Sequence, residues 1–141
     1  MDFYFERFFT AIDLLIELHL QRNKAFLEDK AIYAPEVFAE LHATVSIDIG
    51  RQTGKTTYIQ QHATLEDLVI VQNQNTARRF SKDLNVKTAI QVLKHKDDGS
   101  LARFNRVFID EATWVFKDVD KKTLYKACAS ASIEQTFICL G

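Results

Sequence analysis

The chain has 141 residues, of which 47% are hydrophobic and 26% are charged, with one proline and four glycines. This composition excludes a disordered or fibrous protein and predicts one compact domain without long linkers. The net charge of −1 hides an uneven distribution, because residues 78–106 hold eight Lys and Arg against three Asp and Glu. Such a basic segment is either a contact surface for nucleic acid or a solvated charged face.

The chain start, MDFYFERFF, carries acidic residues where a secretory signal would be basic. No apolar run approaches the roughly 20 residues needed to cross a bilayer. Cys128 and Cys139 have neither metal-ligand nor redox spacing, which indicates two free thiols in a reducing compartment. We therefore expect a cytoplasmic protein that is neither secreted nor held in a membrane.

The first predicted element is a long amphipathic helix from Phe3 to about Glu28, because apolar residues recur there at helical spacing with charged residues between them. Pro35 suits the first turn of a second helix over residues 34–42. A helix that covers a sheet needs one apolar face, and the phenylalanine-rich stripe of the first helix supplies it. Residues 1–42 are therefore predicted to form an N-terminal helical segment that packs on the core.

Strands and helices are predicted to alternate in the rest of the chain. Apolar and β-branched runs predict strands over residues 43–49, 68–72, 88–93, 106–110 and 136–140. Helices are predicted to begin at residue 57 and to cover residues 75–84, capped by Asn75 or Thr76, and residues 121–131. This alternation predicts an α/β fold with a mostly parallel five-stranded sheet flanked by helices, formed by residues 43–141 within a single domain.

Residues 48–57, DIGRQTGKTT, follow the first predicted strand and precede a predicted helix. A strand, a glycine-bearing turn and a helix that begins at Gly-Lys-Thr are the parts that bind a nucleoside triphosphate. In this arrangement Lys55 reaches the β- and γ-phosphate oxygens, and the Thr56 hydroxyl binds Mg2+. The two glycines stand one residue closer together than in the usual loop. The predicted nucleotide contacts are Gly50, Arg51, Gln52, Thr53, Gly54, Lys55, Thr56 and Thr57.

An acidic motif, RVFIDE, occupies residues 106–111, about fifty residues after the loop. Asp110 at the carboxyl end of a strand can hold Mg2+, and Glu111 beside it can polarise an attacking water. The guanine-binding signature N-K-x-D is missing from the sequence, and small-molecule kinases need no water-activating glutamate. The motif therefore indicates hydrolysis of a nucleoside triphosphate, with Lys55 and Glu111 as catalytic residues and Thr56 and Asp110 as metal ligands.

The string GRQTGKTT resembles the variant Walker A motif of the large terminase ATPases, which are the DNA-packaging motors of tailed bacteriophages. In that motif a small residue, Arg-Gln, one variable residue and Gly-Lys-[ST] replace the usual loop. VFIDEA resembles the Walker B motif of the same family, residues 68–84 its strand and helix after the loop, and TFICLG the start of its coupling motif. The resemblance covers about residues 43–141. It implies a RecA-like P-loop ATPase core that hydrolyses the β–γ bond of ATP, with Arg51 stabilising the γ-phosphate.

The resemblance also implies DNA as a partner, moved or remodelled at the expense of ATP, and a location in the host cytoplasm if the protein is phage-encoded. Terminases continue into more of the ATPase domain and a nuclease domain, whereas this sequence stops at Gly141. We therefore expect either an excised or naturally minimal ATPase core or one that completes its site with another subunit. Other subunits or a nuclease component are the expected protein partners, and the protein is either a monomer or an oligomer. Candidate DNA contacts are Arg78, Arg79 and Lys82. Two alternatives stay open: a helicase-like ATPase fragment, and a non-catalytic interaction module switched by nucleotide.

Overall fold

Helices and strands alternate through most of the described chain. The computed structural model describes residues 3–48 and 54–141. The helices are α1 (Phe3–Lys24), a 3₁₀ helix (Leu27–Ile32), α2 (Pro35–His42), α3 (Lys55–His62), α4 (Gln74–Ala77), α5 (Ala89–Leu93), α6 (Ala112–Asp118) and α7 (Lys121–Cys128). The strands are β1 (Thr44–Ile47), β2 (Asp67–Val71), β3 (Asn85–Thr88), β4 (Arg106–Asp110) and β5 (Thr136–Leu140).

The strands of the described chain form one sheet in the order β1-β5-β4-β2-β3, and every neighbouring pair is parallel. Every residue of β2 and of β5 is buried, as expected for strands that helices cover on both faces. The fold is therefore α/β, with an all-parallel five-stranded sheet flanked by helices and an N-terminal helix. This architecture confirms the predicted fold class and is, at this coarse level, consistent with a RecA-like fold.

Each face of the sheet has its own hydrophobic cluster, and alternate residues of β2 belong to the two clusters. On one face Ile12 of α1 and Ile59 of α3 are fully buried against the strands. On the other face α2, α5, α6 and α7 pack together, with Val92 and Leu124 fully buried. Complete burial of one such aliphatic side chain stabilises the fold by about 1.5–3 kcal/mol. These two layers fix the strand ends that carry the candidate site.

Helix α1 confirms the predicted N-terminal amphipathic helix but ends at Lys24 instead of near Glu28, where a 3₁₀ helix has taken over. Its outer face keeps apolar residues in solvent, since Leu14 is 55% exposed and Leu18 is 51% exposed. Although α1 is 22 residues long, none of the described helices is long and apolar enough to cross a membrane.

The predicted helix over residues 75–84 is wrong in length and in its cap. Only Gln74–Ala77 is helical, and Asn73, not Asn75 or Thr76, caps it by accepting a hydrogen bond from the Thr76 N–H at 3.0 Å. The chain then leaves the helix in turns. The Ser81 hydroxyl accepts from the Asp83 N–H at 3.2 Å, which is the kind of local side-chain bond that competes with a helix.

The predicted strand over residues 88–93 is also wrong, because β3 ends at Thr88 and residues 89–93 form α5. Thr88 and Gln91 make a capping box: the Thr88 hydroxyl accepts from the Gln91 N–H, and the Gln91 side chain accepts from the Thr88 N–H. In this way two backbone N–H groups at the start of the helix, which would otherwise lack acceptors, are hydrogen-bonded. The pattern T-x-x-Q marks a helix start, and it overrides the β-branched character of the run.

Smaller differences concern element ends. The first strand covers Thr44–Ile47 within the predicted 43–49, β2 is shifted one residue from the predicted 68–72, and α3 begins at Lys55, two residues before the predicted start. Helix α7 ends at Cys128, three residues before the predicted end, and α6 was not predicted. Strands β4 and β5 lie where they were predicted.

The two cysteines are free and buried, as the spacing predicted. Burial raises the pKa of the Cys128 thiol to about 12 and also raises that of Cys139. Neither thiol is therefore a reactive nucleophile near neutral pH.

Candidate nucleotide-binding site

The candidate site begins where the chain enters α3. Gly54 precedes the helix in the left-handed region, with φ of 83°, a conformation that glycine adopts without a steric cost. Its carbonyl accepts the Tyr58 N–H at 2.8 Å, which closes the first turn of the helix. The predicted contacts Gly50, Arg51, Gln52 and Thr53 lie outside the described residues. The structure thus describes the Gly-Lys-Thr half of the predicted loop.

Lys55 is buried at the start of α3, with 5% of its surface exposed. Its ammonium donates a hydrogen bond to the Gly141 carbonyl oxygen at 2.5 Å and lies 3.6 Å from Glu111 Oε1. A buried ammonium needs such partners because loss of water disfavours the charged form. The loop lysine and the predicted water-activating acid are therefore in contact, although 56 positions of sequence separate them.

Thr56 and Asp110 are also brought together, as metal ligation requires. The Thr56 hydroxyl donates to Asp110 Oδ2 at 2.7 Å. Helix α3 supplies the hydroxyl and the carboxyl end of β4 supplies the carboxylate, even though β5 lies between β1 and β4 in the sheet. Helix α3 begins after β1 and reaches β4, and this places the two predicted metal ligands side by side.

Asp110 is 1% exposed, and its Oδ1 has no hydrogen-bond partner among the described residues. Burial raises the pKa of this carboxyl, and the Thr56 hydrogen bond and the Lys55 charge only partly oppose that effect. The backbone N–H of Glu111 also lowers the pKa of Asp110. It does not donate a hydrogen bond to Oδ1, which stays without a partner in the described chain. A buried carboxylate oxygen without a partner is unfavourable unless a cation or a proton meets it.

These residues fit a magnesium ion. Mg2+ is typically held by one or two protein oxygens together with substrate phosphates and water. Asp110 Oδ1 and the Thr56 hydroxyl are such oxygens, and no cluster of three or more His, Cys, Asp or Glu side chains suited to a metal occurs in residues 3–48 and 54–141. The donor set therefore suits an ion that arrives with a nucleotide better than a permanently bound metal.

Glu111 stands in the left-handed region, with φ of 51° and ψ of 50°, and is the one non-glycine residue with positive φ in the described chain. For a residue with a side chain this conformation costs on the order of 1 kcal/mol. The sharp turn ends β4 and starts α6 within one residue, and it leaves the carboxylate 39% exposed beside Lys55. A partly open acid at this turn can meet a water molecule, which a fully buried acid could not.

Sequence reasoning missed Thr113 of α6 as a neighbour of this edge. A Cβ placed on Gly141 would lie 3.2 Å from Thr113 Oγ1 and 3.7 Å from the Asp48 side chain. The Gly141 N–H also donates to the Ile47 carbonyl at 2.8 Å, which extends the β5–β1 pairing. A glycine directly after a buried strand was the available signal of a close approach.

The far end of α3 is anchored at the opposite edge of the sheet. Arg106 donates to both carboxylate oxygens of Asp67, at 3.0 and 2.8 Å, and to the His62 carbonyl at 3.0 Å. The Tyr58 hydroxyl donates to Asp13 of α1 at 2.5 Å. These bonds hold both the helix end and α1, so that Lys55 and Thr56 start from a fixed element.

The candidate DNA contacts lie in the turns after α4, which a hydrogen bond joins to α3. Arg78, Arg79 and Lys82 are all exposed, and Arg78 and Lys82 line one surface groove. The Arg79 carbonyl accepts a hydrogen bond from the Gln60 side chain at 2.7 Å. Their role in binding DNA stays a prediction.

Comparison with known proteins adds no family to this picture. No protein-family model, no curated protein and no solved structure matched the chain. The similarity to terminases therefore rests on the sequence motifs, and the geometry of Lys55, Thr56, Asp110 and Glu111 carries the functional argument.

Proposed function

We propose that the chain binds ATP with Mg2+ and hydrolyses the β–γ bond, and that it uses this hydrolysis to translocate or remodel DNA in the manner of a terminase motor. One observation carries the nucleotide part: the Thr56 hydroxyl bonds one oxygen of buried Asp110 while the other oxygen has no partner in the described chain. A purely structural acid would have both oxygens satisfied.

The metal would be held by Thr56 and Asp110. When bound there, Mg2+ supplies positive charge to the β- and γ-phosphate oxygens. Ionised Asp110 would be stabilised in turn, because the cation supplies the partner that Oδ1 lacks. Binding of the metal and binding of the nucleotide should therefore depend on each other.

Lys55 would exchange its partners when a nucleotide arrives. In this structure its ammonium is held by the Gly141 carbonyl and by Glu111. The γ-phosphate carries more negative charge than either partner, so it would draw the ammonium to itself. Glu111 would then be free to accept a hydrogen bond from the attacking water and to take its proton as the oxygen bonds to the γ-phosphorus and the bridging P–O bond breaks.

The experiment measures binding of a fluorescent ATP analogue and release of phosphate for the wild type and two variants. Lys55→Ala should lose binding, because it removes the buried cation. Glu111→Gln should keep binding and lose turnover, because glutamine cannot accept the proton. Glu134→Gln changes an exposed acid near the amino end of β5, away from the carboxyl strand ends that carry the site; it is the matched control and should behave as the wild type. Equal turnover in wild type and Glu111→Gln would exclude the catalytic assignment.

The DNA part is supported by the resemblance and by the exposed Arg78, Arg79 and Lys82. Turnover should rise with double- or single-stranded DNA, and DNA binding should weaken with salt because phosphate contacts release counterions. Reversal of the three charges tests the surface separately from the nucleotide site. If neither form of DNA changes turnover, the motor function and the helicase-like alternative would be excluded. A nucleotide-switched interaction module would then be favoured.

A further inference from the structure

A surface groove of about 540 Å³ lies at the outer edge of the sheet, between α4, the turns after it and β3. Its apolar lining includes Ala77, Leu84 and Val86, which also pack against the cluster beneath α1 and α3. Arg78 and Lys82 stand on its rim and are exposed. The groove thus combines an aliphatic surface with two cations.

The strand beside this groove is an edge strand. In the described residues β3 pairs with β2 alone, at the end of the sheet order. Half of the backbone N–H and C=O groups of an edge strand point away from its neighbour and can pair with an added strand. Val86 lies both in β3 and in the groove lining, so that an added strand would run along the groove.

Large apolar side chains are also exposed near both ends of β3, outside the groove itself. At its start, the Asn85 side chain donates to the Leu65 carbonyl at 2.8 Å, and the Leu65 side chain is 65% exposed. Just after its end, Ile90 is 63% exposed. Exposed apolar side chains beside an open strand edge suit a surface that a partner covers.

Charge decides which occupant fits. A second copy of β3 would bring Lys87 and the rim cations Arg78 and Lys82 close to the same cations, which is unfavourable. Single-stranded nucleic acid would match the charge, but its binding sites combine such cations with exposed aromatic rings on which the bases stack. The one aromatic residue lining this groove, Phe80, is 6% exposed. An extended peptide that carries aliphatic and acidic side chains on the same face, at every second position, matches the aliphatic lining, the cations and the open strand edge.

We infer that the groove binds an acidic, extended segment of a partner protein, which adds a strand to β3 and places its carboxylates against Arg78 and Lys82. This interaction surface does not rest on the ATPase activity proposed above. It does compete with the predicted DNA contact, because both uses need the same two cations.

The test uses fluorescence anisotropy with the full chain and a labelled octapeptide that repeats valine, threonine, glutamate and threonine, so that valine and glutamate lie on one face of the strand. Arg78→Glu combined with Lys82→Glu should weaken peptide binding by about tenfold or more, since two exposed ion pairs become repulsive. Lys122→Glu combined with Lys126→Glu, on α7 at the other face of the sheet, changes the net charge equally and should leave binding within about twofold.

Two further probes separate strand addition from other modes. N-methylation of the threonines and N-methylation of the valines and glutamates remove opposite sets of backbone donors, so one set should abolish binding and the other should preserve it. Equal effects of the two sets would overturn the proposal. It would also fail if labelled oligothymidylate bound the wild type with the same dependence on Arg78 and Lys82 while the octapeptide did not bind, because the groove would then serve nucleic acid.

Discussion

Two buried aspartates on neighbouring strands differ in how completely their carboxylates are bonded. Asp67, at the amino end of β2, accepts two hydrogen bonds from Arg106 and one from the Thr64 N–H at 2.8 Å. Asp110, at the carboxyl end of β4, accepts one from the Thr56 hydroxyl and keeps Oδ1 without a partner in the described chain. Both are almost fully buried, so exposure does not explain the difference.

The contrast separates a structural acid from a ligand-binding acid within one sheet. At the amino edge, protein groups complete the carboxylate, and Arg106 joins β4 to β2 and to the end of α3. At the carboxyl edge, the protein supplies fewer partners than the buried groups require. Open parallel sheets generally bind their ligands beyond the carboxyl ends of the strands. The incomplete bonding of Asp110 is therefore expected of a site that a cation and a nucleotide complete.

Asp110→Asn should produce the largest functional effect. Asparagine keeps an oxygen that can accept from Thr56, but it removes the charge that would hold Mg2+. Turnover should fall by about 100-fold or more, as when one group that stabilises transition-state charge is lost. The free energy of unfolding without nucleotide should stay the same or rise, because a poorly paired buried charge is gone. Phosphate release and urea unfolding measure the two quantities, and a large loss of stability would place Asp110 with Asp67 as a structural acid.

Asp67→Asn should have the opposite profile. It removes one charge of a buried pair and leaves Arg106 without its carboxylate. Because the Arg106 side chain is 38% exposed, solvent reduces the cost to about 2 kcal/mol, below that of a fully buried pair. Urea unfolding should show this loss, while the affinity of folded protein for the ATP analogue changes by less than about threefold. A loss of turnover as large as that of Asp110→Asn would break the contrast between the two edges.

The pH dependence of stability should also distinguish Asp110 from a fully bonded acid. Its pKa in the folded protein lies above the ordinary value of 3.8, mainly because of burial. The stability that it contributes is therefore complete below 3.8 and is lost as pH rises through the raised folded pKa. The free energy of unfolding of wild type relative to Asp110→Asn should fall over that range, since other groups cancel in the difference. Parallel pH profiles in urea unfolding would contradict the direction of the shift.

The fold class and the elements nearest the motifs could be predicted from sequence because each had a strong local signal. Buried apolar runs gave β4 and β5, and Gly-Lys-Thr fixed the start of α3 to within two residues. The helix after β2 and the strand at residues 88–93 were wrong because short side-chain bonds, at Asn73 and Thr88, decided the backbone there. Amino-acid composition and hydrophobic periodicity do not indicate where such caps form.

The candidate site shows the same limit. The sequence could name Lys55 and Asp110 by motif, but the ion pair between Lys55 and Glu111 depends on a left-handed turn at Glu111. Such a conformation is strained for glutamate and has no signal in a single sequence. The groove along β3 could not be predicted from the sequence either, because it depends on the position of β3 as the outer strand of the sheet.

The smallest effect should come from Gly141→Ala, which tests how tightly the carboxyl edge is packed. The added methyl would lie 3.2 Å from Thr113 Oγ1, so the free energy of unfolding should fall by about 1 kcal/mol. Thr113→Ala in the same chain removes the opposing hydroxyl and should restore most of that loss, whereas two independent sites would give additive losses. Affinity for the ATP analogue should change little, because the Gly141 carbonyl that holds Lys55 is retained. If turnover instead fell as far as in Asp110→Asn, the packing at the end of β5 would be part of the binding site itself. The carboxyl edge would then need more than the cation and the nucleotide that the incomplete bonding of Asp110 calls for.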